Sequence, residues 1–258
     1  YIHISRGLDD IINVTKINLE NNFSKFIAAG GDGTIHYMVN VLAGTDKKMG
    51  AIPTGSGNDI TTTLGITSDI EKCCQIIKEG KIKKLDLGLI NDKYYYLCIA
   101  GSGFDSQVNF LANNTRLPIK GSLKYTYSVY KTLITFKPKK FFINYNNNDR
   151  EIYGMMITAS NMPMYGGGMK ITPDADPEDG LFDVCIIKKM SKIHFIRIFP
   201  KVYQGKHVSD RHVEIFRTSK LTLNSEYSFS VFADGEYICK LPATFKIAPK
   251  KLNFIVPG

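Results

Sequence analysis

With 258 residues, 43% of them hydrophobic and 22% charged, the chain has the composition of a folded globular protein of one large or two small domains. No apolar run approaches the roughly 20 residues that a membrane-spanning helix needs, so the chain is not expected to cross a bilayer, and any membrane contact is peripheral. The formal charge of +9, from 33 Lys and Arg against 24 Asp and Glu, suits an anionic partner: a membrane surface, a nucleic acid or a nucleotide.

Lysines gather at residues 81–84, 137–140, 188–192 and 246–251, although any single cluster also reads as solvated surface. The five cysteines form an odd set without CxxC spacing and sit mostly in apolar runs. That pattern points to reduced core thiols in a cytoplasmic protein rather than to disulfides or zinc. His3, His36, His194, His207 and His212 show no metal-ligand spacing and read as ordinary surface or core residues.

A helical pattern covers residues 7–22, and a strand is expected ahead of it. Residues 26–29 form a short apolar strand that runs into Gly30-Gly31-Asp32-Gly33-Thr34. A helix opens directly behind, with Ile35, Met38, Val39 and Leu42 on one side. Glycines at such a junction let the backbone approach a ligand where a Cβ would collide, and the helix N-terminus offers unpaired N–H groups and a positive dipole end. A carboxylate set among them repels phosphate unless a cation lies between, so Asp32 points to phosphate together with Mg²⁺. Residues 49–53 repeat the design: a buried strand feeds Thr54-Gly55-Ser56-Gly57-Asn58-Asp59 and then a helix. Two such loops are expected side by side at the carboxyl edge of a parallel sheet, where open α/β sheets bind ligands. Ser68-Asp69-Ile70-Glu71 is a capping-box pattern for the next helix, which Gly80 is placed to stop.

From about Lys84 the texture becomes strand-rich. Strands are expected over residues 85–90, 94–100, 141–145, 152–160, 180–188, 212–217, 220–223 and 227–233, with helices over 122–136 and 192–204. Asp234-Gly235 is a tight hairpin signal after the last of these strands, and residues 251–257 form a final apolar strand expected to return to the first domain. The antiparallel, β-rich texture separates a first domain of residues 1–84 plus 249–258 from a second of residues 85–248. Leu123, Tyr127, Tyr130, Leu133 and Ile134 on the 122–136 helix could face lipid or core.

Each motif has a plainer reading as well. Asp32, Asn58 and Asp59 are good helix caps, Glu236 beside a hairpin turn is by itself a solvated turn residue, and Asp174, Asp176 and Asp179 could be a solvated acidic loop as readily as an oxygen-rich cation site. GGDGT is not GxGxxG, and no Walker lysine follows, so neither a dinucleotide fold nor a P-loop is indicated. The pairing of two glycine-rich strand-to-helix loops, each with a carboxylate, favours a nucleotide site. Gly166-Gly167-Gly168 has no amphipathic helix behind it and reads as flexible backbone beside the cleft.

Taken together, GGDGT, PTGSGND at residues 53–59, LDLG at 85–88, GFD at 103–105, YGGGMKITPDADPEDGLFDV at 165–184 and DGE at 234–236 resemble the diacylglycerol kinase catalytic-domain family of soluble bacterial lipid kinases, related to sphingosine and ceramide kinases. NAD kinases and phosphofructokinases share GGDG but neither PTGSGND nor the YGGG…DGLFDV segment. The resemblance implies an N-terminal α/β nucleotide-binding domain with a C-terminal β-sandwich-like domain. It also implies ATP- and Mg²⁺-dependent transfer of the γ-phosphoryl group to a lipid hydroxyl, with diacylglycerol as the leading acceptor and phosphatidic acid as product.

By this resemblance Gly30, Gly31, Asp32, Gly33, Thr34, Thr54, Gly55 and Ser56 hold the ATP phosphates, and Asn58 and Asp59 complete that site. Asp32 and Asp59 join a carboxylate–water–Mg²⁺ network, and Glu236 is the general base. Asp176 and Asp179 with the Leu181 carbonyl hold a structural Mg²⁺, and Asp105 contacts the lipid head group. Ile60-Thr61 departs from the Phe and Ala that the family commonly carries after the second loop. Two other readings stay open: a kinase of a soluble acceptor such as NAD, and a non-catalytic regulator that binds nucleotide and lipid. The expected partners are a lipid substrate and the anionic inner face of the membrane, met from the cytoplasm, and no nucleic acid; a homodimer is an admissible assembly.

Overall fold

The computed structural model describes residues 1–115 and 121–258. The chain opens on α1 (Leu8–Glu20), followed by β1 (Lys25–Gly30), α2 (Asp32–Leu42), β2 (Lys48–Pro53), α3 (Asp59–Thr63) and α4 (Ile70–Glu79). β1 and β2 pair in parallel from Lys25↔Lys48 to Gly30↔Pro53, so both glycine loops leave the same edge of the sheet. α2 buries Ile35, Met38, Val39 and Leu42, whose spacing places them on one helical face. The helix behind the second loop is only five residues long. α4 is capped one residue later than Ser68 predicts: Asp69 is the N-cap and accepts the Lys72 N–H at 3.2 Å, while the Thr67 hydroxyl accepts the Asp69 N–H.

The remainder is dominated by antiparallel strands. In order these elements are β3 (Lys81–Ile90), β4 (Tyr94–Tyr96), β5 (Ile99–Gly103), α5 (Phe104–Asn114), α6 (Gly121–Thr135), β6 (Lys139–Tyr145), β7 (Asn148–Ser160), β8 (Phe182–Lys188), α7 (Lys192–Ile198), β9 (Val213–Thr218), β10 (Lys220–Ser225), β11 (Ser230–Ala233), β12 (Glu236–Lys240) and β13 (Ala243–Val256). β6, β7, β8 and β9 are neighbours in an antiparallel series, and β5 lies between β7 and β11. β13 joins the two halves of the sheet: it runs antiparallel to β3 and β10, and its Asn253 and Phe254 pair in parallel with Lys48 and Met49 of β2. The α/β-then-β organisation expected from the sequence is the one the pairing shows. Phe182 to Ile187 on β8 and Met155 to Ser160 on β7 are buried without alternation, as central strands covered on both faces must be.

Several elements differ from expectation for identifiable reasons. The strand expected over residues 94–100 breaks at Leu97 and Cys98, whose N–H groups turn to the Asp234 carboxylate instead of a neighbouring strand. The helix expected over 192–204 changes to a tighter 3₁₀ segment at Phe199, where Pro200 cannot donate the α-helical bond. The final strand begins at Ala243, well before residue 251. Helix α5 was not expected at all, because Gly103-Phe104-Asp105 reads as a turn; Gly103 at φ +111° is that turn, and the helix starts on the next residue. All five cysteines are free thiols. Among the described residues no helix is long and apolar enough to cross a membrane.

Candidate active site

The two glycine loops touch. A Cβ placed on Gly55 would lie 2.5 Å from Gly31 Cα, and the Thr54 N–H donates to the Gly30 carbonyl at 3.0 Å. Backbone packing this close is available only to glycine, and it leaves the first turn of α2 open towards a cleft of about 410 Å³. Gly31, Asp32, Gly33, Gly55, Ser56 and Asp59 are among the residues lining that cleft. Gly30, Thr34, Thr54 and Asn58 are not among them. Asn58, at φ +57°, closes the second loop on itself: its Oδ1 accepts the Gly55 N–H at 3.1 Å, and its Nδ2 donates to the Gly55 carbonyl at 2.8 Å. Its side chain therefore shapes the loop.

The two aspartates lock three segments together. Asp32 accepts the N–H groups of Asp59 and Ile60, both at 3.1 Å, so the first loop caps the start of α3. Asp59 in turn accepts the N–H groups of Gly167 at 2.8 Å and Gly168 at 2.7 Å. The Gly166-Gly167-Gly168 stretch is thus clamped, with φ of +65°, +85° and +94°, rather than loose beside the cleft. A Cβ on Gly57 would lie 3.1 Å from Asp32 Oδ2 and 3.6 Å from Asp59 Oδ2, which sets the two carboxylates around one glycine. Burial pushes the Asp32 carboxyl up to about 6 against its backbone donors, and the Asp59 charge adds to that rise. Burial likewise raises Asp59 above the usual carboxylate range.

The opposite wall comes from the β11–β12 hairpin. Glu236, the first residue of β12, stands over the first turn of α2: a Cβ on Gly33 would lie 3.2 Å from Glu236 Oε1. The Tyr37 hydroxyl donates to Glu236 Oε2 at 3.0 Å, and burial followed by the Glu236 charge pushes Tyr37 up to about 12, so it remains a donor. One oxygen of Glu236 is therefore held by α2, while the other faces the glycine turn. Its neighbour Asp234 does different work. The buried Asp234 carboxylate accepts N–H groups from Leu97, Cys98 and Ile99 at 2.9, 2.8 and 3.2 Å, and meets His36 Nδ1 at 3.0 Å. Asn113 Nδ2 donates to the Gly235 carbonyl at 3.1 Å. The hairpin is therefore tied to α2, to the break between β4 and β5, and to α5.

Asp234, His36, Tyr37 and Asn113 are positioning residues that sequence reasoning missed. The available signal was the i, i+4 and i, i+5 placement of His36 and Tyr37 behind Asp32 on the helix that follows GGDGT.

A second, narrow cavity of about 50 Å³ lies behind the cleft, lined by apolar side chains including Val129, Met156, Met169 and Phe195. Tyr125 and Tyr165 line both spaces. Asp105 is the carboxyl at this cavity: it is buried, its Oδ1 has no partner, and burial raises it to about 7. Asp176 and Asp179 lie on an exposed loop and bond backbone N–H groups of that loop, Glu178 at 3.0 Å and Leu181 at 2.9 Å. Arg217 bonds Asp183 at 3.2 Å and lies 3.6 Å from Asp179. Asp183 Oδ2 is buried without a partner. Away from the cleft, Asp210 bonds both His194, at 2.9 Å, and His212, at 2.8 Å, so these histidines do converge despite their sequence spacing.

Known proteins resemble this chain in sequence and in fold. Residues 4–90 match the model of the diacylglycerol kinase catalytic domain, and residues 98–256 match that of the YegS C-terminal NAD kinase beta sandwich-like domain. A diacylglycerol kinase of Mycobacterium tuberculosis is 32% identical over 237 residues, covering 90% of this chain and 76% of that protein. One from Bacillus subtilis is 30% identical over 260 residues, covering 99% and 85% respectively. In fold, the chain resembles a diacylglycerol kinase structure from Bacillus anthracis at TM-score 0.75 and 17% identity, over 99% of this chain and 84% of that one. An NAD kinase from Archaeoglobus fulgidus in complex with ATP is similar at TM-score 0.50 and 13% identity, over 97% and 90%. On the strength of the C-terminal family model and of relatives aligned over most of their length, the chain belongs to the diacylglycerol kinase family.

Proposed function

We propose that this chain transfers the γ-phosphoryl group of ATP to the free hydroxyl of diacylglycerol, yielding phosphatidic acid and ADP. The observation that carries this reading is Glu236 Oε1 facing the Gly33 turn at the open N-terminus of α2. That arrangement sets a proton acceptor opposite an anion site. The glycine loops bind and orient the triphosphate through backbone N–H groups. Glu236 takes the proton of the attacking hydroxyl while the lipid oxygen bonds to phosphorus and the bond to the ADP oxygen breaks. Tyr37 holds the other oxygen of Glu236, so the base is oriented before substrate arrives.

The residues present fit Mg²⁺. Asp32 and Asp59 flank Gly57, each already accepting two backbone N–H groups, so what they offer a cation is their remaining lone pairs, suited to a water-bridged hold. Bound there, Mg²⁺ supplies charge neutralisation on the β and γ oxygens. Asp176, Asp179 and the Leu181 carbonyl offer oxygen ligands to a second, structural cation on that loop, where Arg217 lies 3.6 Å from Asp179. The apolar lining around Asp105 suits the hydrocarbon of an acyl-bearing acceptor, and the carboxyl, when protonated, offers one hydrogen bond.

The test uses purified protein, labelled ATP and mixed micelles containing diacylglycerol, sphingosine or ceramide, with NAD in a separate reaction. Labelled phosphatidic acid is the expected product; label on NAD and on no lipid overturns the reading. Glu236→Gln is expected to lower turnover by about 10²–10⁴-fold with ATP affinity preserved. Retained turnover removes Glu236 from its role.

A further inference from the structure

Helix α6 is apolar on two faces. Val129 and Leu133 point inward and are buried, as is Phe136 directly after the helix. Leu123, Tyr127, Tyr130 and Ile134 follow an i, i+4, i+7, i+11 stripe on the outer face, where Leu123 and Ile134 are 70% and 69% exposed. Helix α7 repeats this: Phe195 and Ile198 are buried, and Ile193 and Ile196 are 66% and 46% exposed. The two helices meet, since Lys192 donates to the Ile134 carbonyl and the Tyr130 ring packs edge-on against Phe199 at 5.9 Å. A solvated helix has no reason to keep such a stripe.

Charge says what covers it. Residues 121–148 and 185–209, which carry both helices, contain eleven of the 33 Lys and Arg and none of the 24 Asp and Glu. The rest of the chain is slightly acidic, so the positive charge is concentrated in the segments that carry the two helices. Of the eleven, only Lys140 and Lys188 make ion pairs among the described residues, with Glu151 and Glu214. Lys131, Lys139 and Lys189 lie over the rings of Tyr127, Tyr227 and Tyr153, an arrangement of cation and amphipathic ring that suits a lipid–water boundary. The inner faces of the same helices, through Tyr125, Val129, Phe195 and Ile198, wall the apolar cavity that holds Asp105.

We infer that the outer face of α6 and α7 docks on an anionic bilayer, placing the cavity against the membrane that supplies the acceptor. This deepens the lipid-kinase reading and rests on it for the origin of the acceptor. Apolar side chains enter the headgroup boundary, and the lysines and Arg197 meet the anionic headgroups.

The experiment sediments the full chain with vesicles of phosphatidylcholine alone or mixed with phosphatidylglycerol, and separately measures turnover on a short-chain diacylglycerol dissolved below its aggregation limit. The wild-type chain is expected to bind the anionic vesicles and to be released by salt. Ile193→Glu/Ile196→Glu and, separately, Lys131→Gln/Lys137→Gln/Lys201→Gln are each expected to lose about tenfold or more in vesicle affinity, with turnover on the dissolved acceptor unchanged. Unaltered vesicle affinity in both variants overturns the inference, as does a wild-type chain that ignores anionic vesicles. A dimer that Ile193→Glu/Ile196→Glu splits while vesicle binding persists assigns the face to a second copy and also overturns it. Loss of vesicle binding in the variants, with no acceptor phosphorylated by any form, upholds the surface and defeats the lipid-kinase reading.

Discussion

Asp105 is held in the fold at a cost in stability. Its carboxyl is buried with Oδ1 unpaired, and burial lifts it from 3.8 to about 7. Because the folded value lies above the unfolded one, the folded chain holds the extra proton between about pH 4 and pH 7. Stability therefore falls as pH rises through that window and is level above it. Asp105→Asn keeps the shape and cannot ionise. At pH 8 it is expected to be more stable than wild type by up to about 4 kcal/mol, and near pH 4 the two should coincide. Denaturant melts of both proteins across that range check this. Parallel curves at all pH values show that the carboxyl is not forced to ionise in an apolar site. A more stable variant that has lost lipid turnover marks a position kept for function.

The spacing of the glycine loops made Asp32 and Asp59 visible and the family resemblance singled out Glu236, but neither held a sign that Asp234, two residues before Glu236, is wholly committed to backbone N–H groups and His36. Both are carboxylates at a hairpin, and only the long-range partners tell them apart.

Among elements, the glycine loops were the most legible, since a strand, glycines and an apolar helical stripe are all local signals. Helix α5 was the least, because the left-handed Gly103 at its start has the local signature of a turn. The 94–100 strand was half legible: its apolar run was apparent, whereas the N–H groups that Asp234 withdraws from the ladder come from 136 residues away at Cys98. The loops were expected side by side, but the contact between their backbones lay beyond sequence, and it carries a prediction. A Cβ on Gly55 meets Gly31 Cα at 2.5 Å and Asn58 Oδ1 at 2.9 Å, and neither neighbour can swing away without opening a loop. Gly55→Ala is expected to separate the loops at a cost of about 1–3 kcal/mol, and to weaken ATP binding by roughly tenfold or more. Thermal melting and nucleotide titration measure the two effects. Gly235→Ala provides the contrast: nothing lies near its Cβ position, and its φ of +88° confines the strain to the hairpin.

Across the whole molecule, the proposed chemistry depends on two walls that the chain builds far apart in sequence. The phosphate wall belongs to the parallel strands β1 and β2, and the Glu236 wall belongs to the antiparallel hairpin. β13 ties the sheets together at a distance from the reacting groups. Near the cleft, register between the walls falls to side-chain bonds from α2: His36 to Asp234, Tyr37 to Glu236, and Asn40, which accepts the Tyr95 N–H at 2.8 Å and donates to the Tyr95 carbonyl at 2.9 Å. His36 is the buried member, 3% exposed, and it shares Asp234 Oδ2 with the Leu97 N–H. His36→Ala is expected to cost about 1–3 kcal/mol in stability through the lost bond. Its larger effect should appear in kcat, because the hairpin shifts relative to Gly33 while the glycine loops keep their own geometry and the KM for ATP stays near its original value. His36→Gln, which retains a polar group able to reach Asp234, should recover part of kcat. Steady-state kinetics on the three proteins decides the matter: a rise in KM for ATP with kcat intact places His36 in the nucleotide wall alone, and an equal loss in both variants makes its role one of packing rather than of holding the two walls in register.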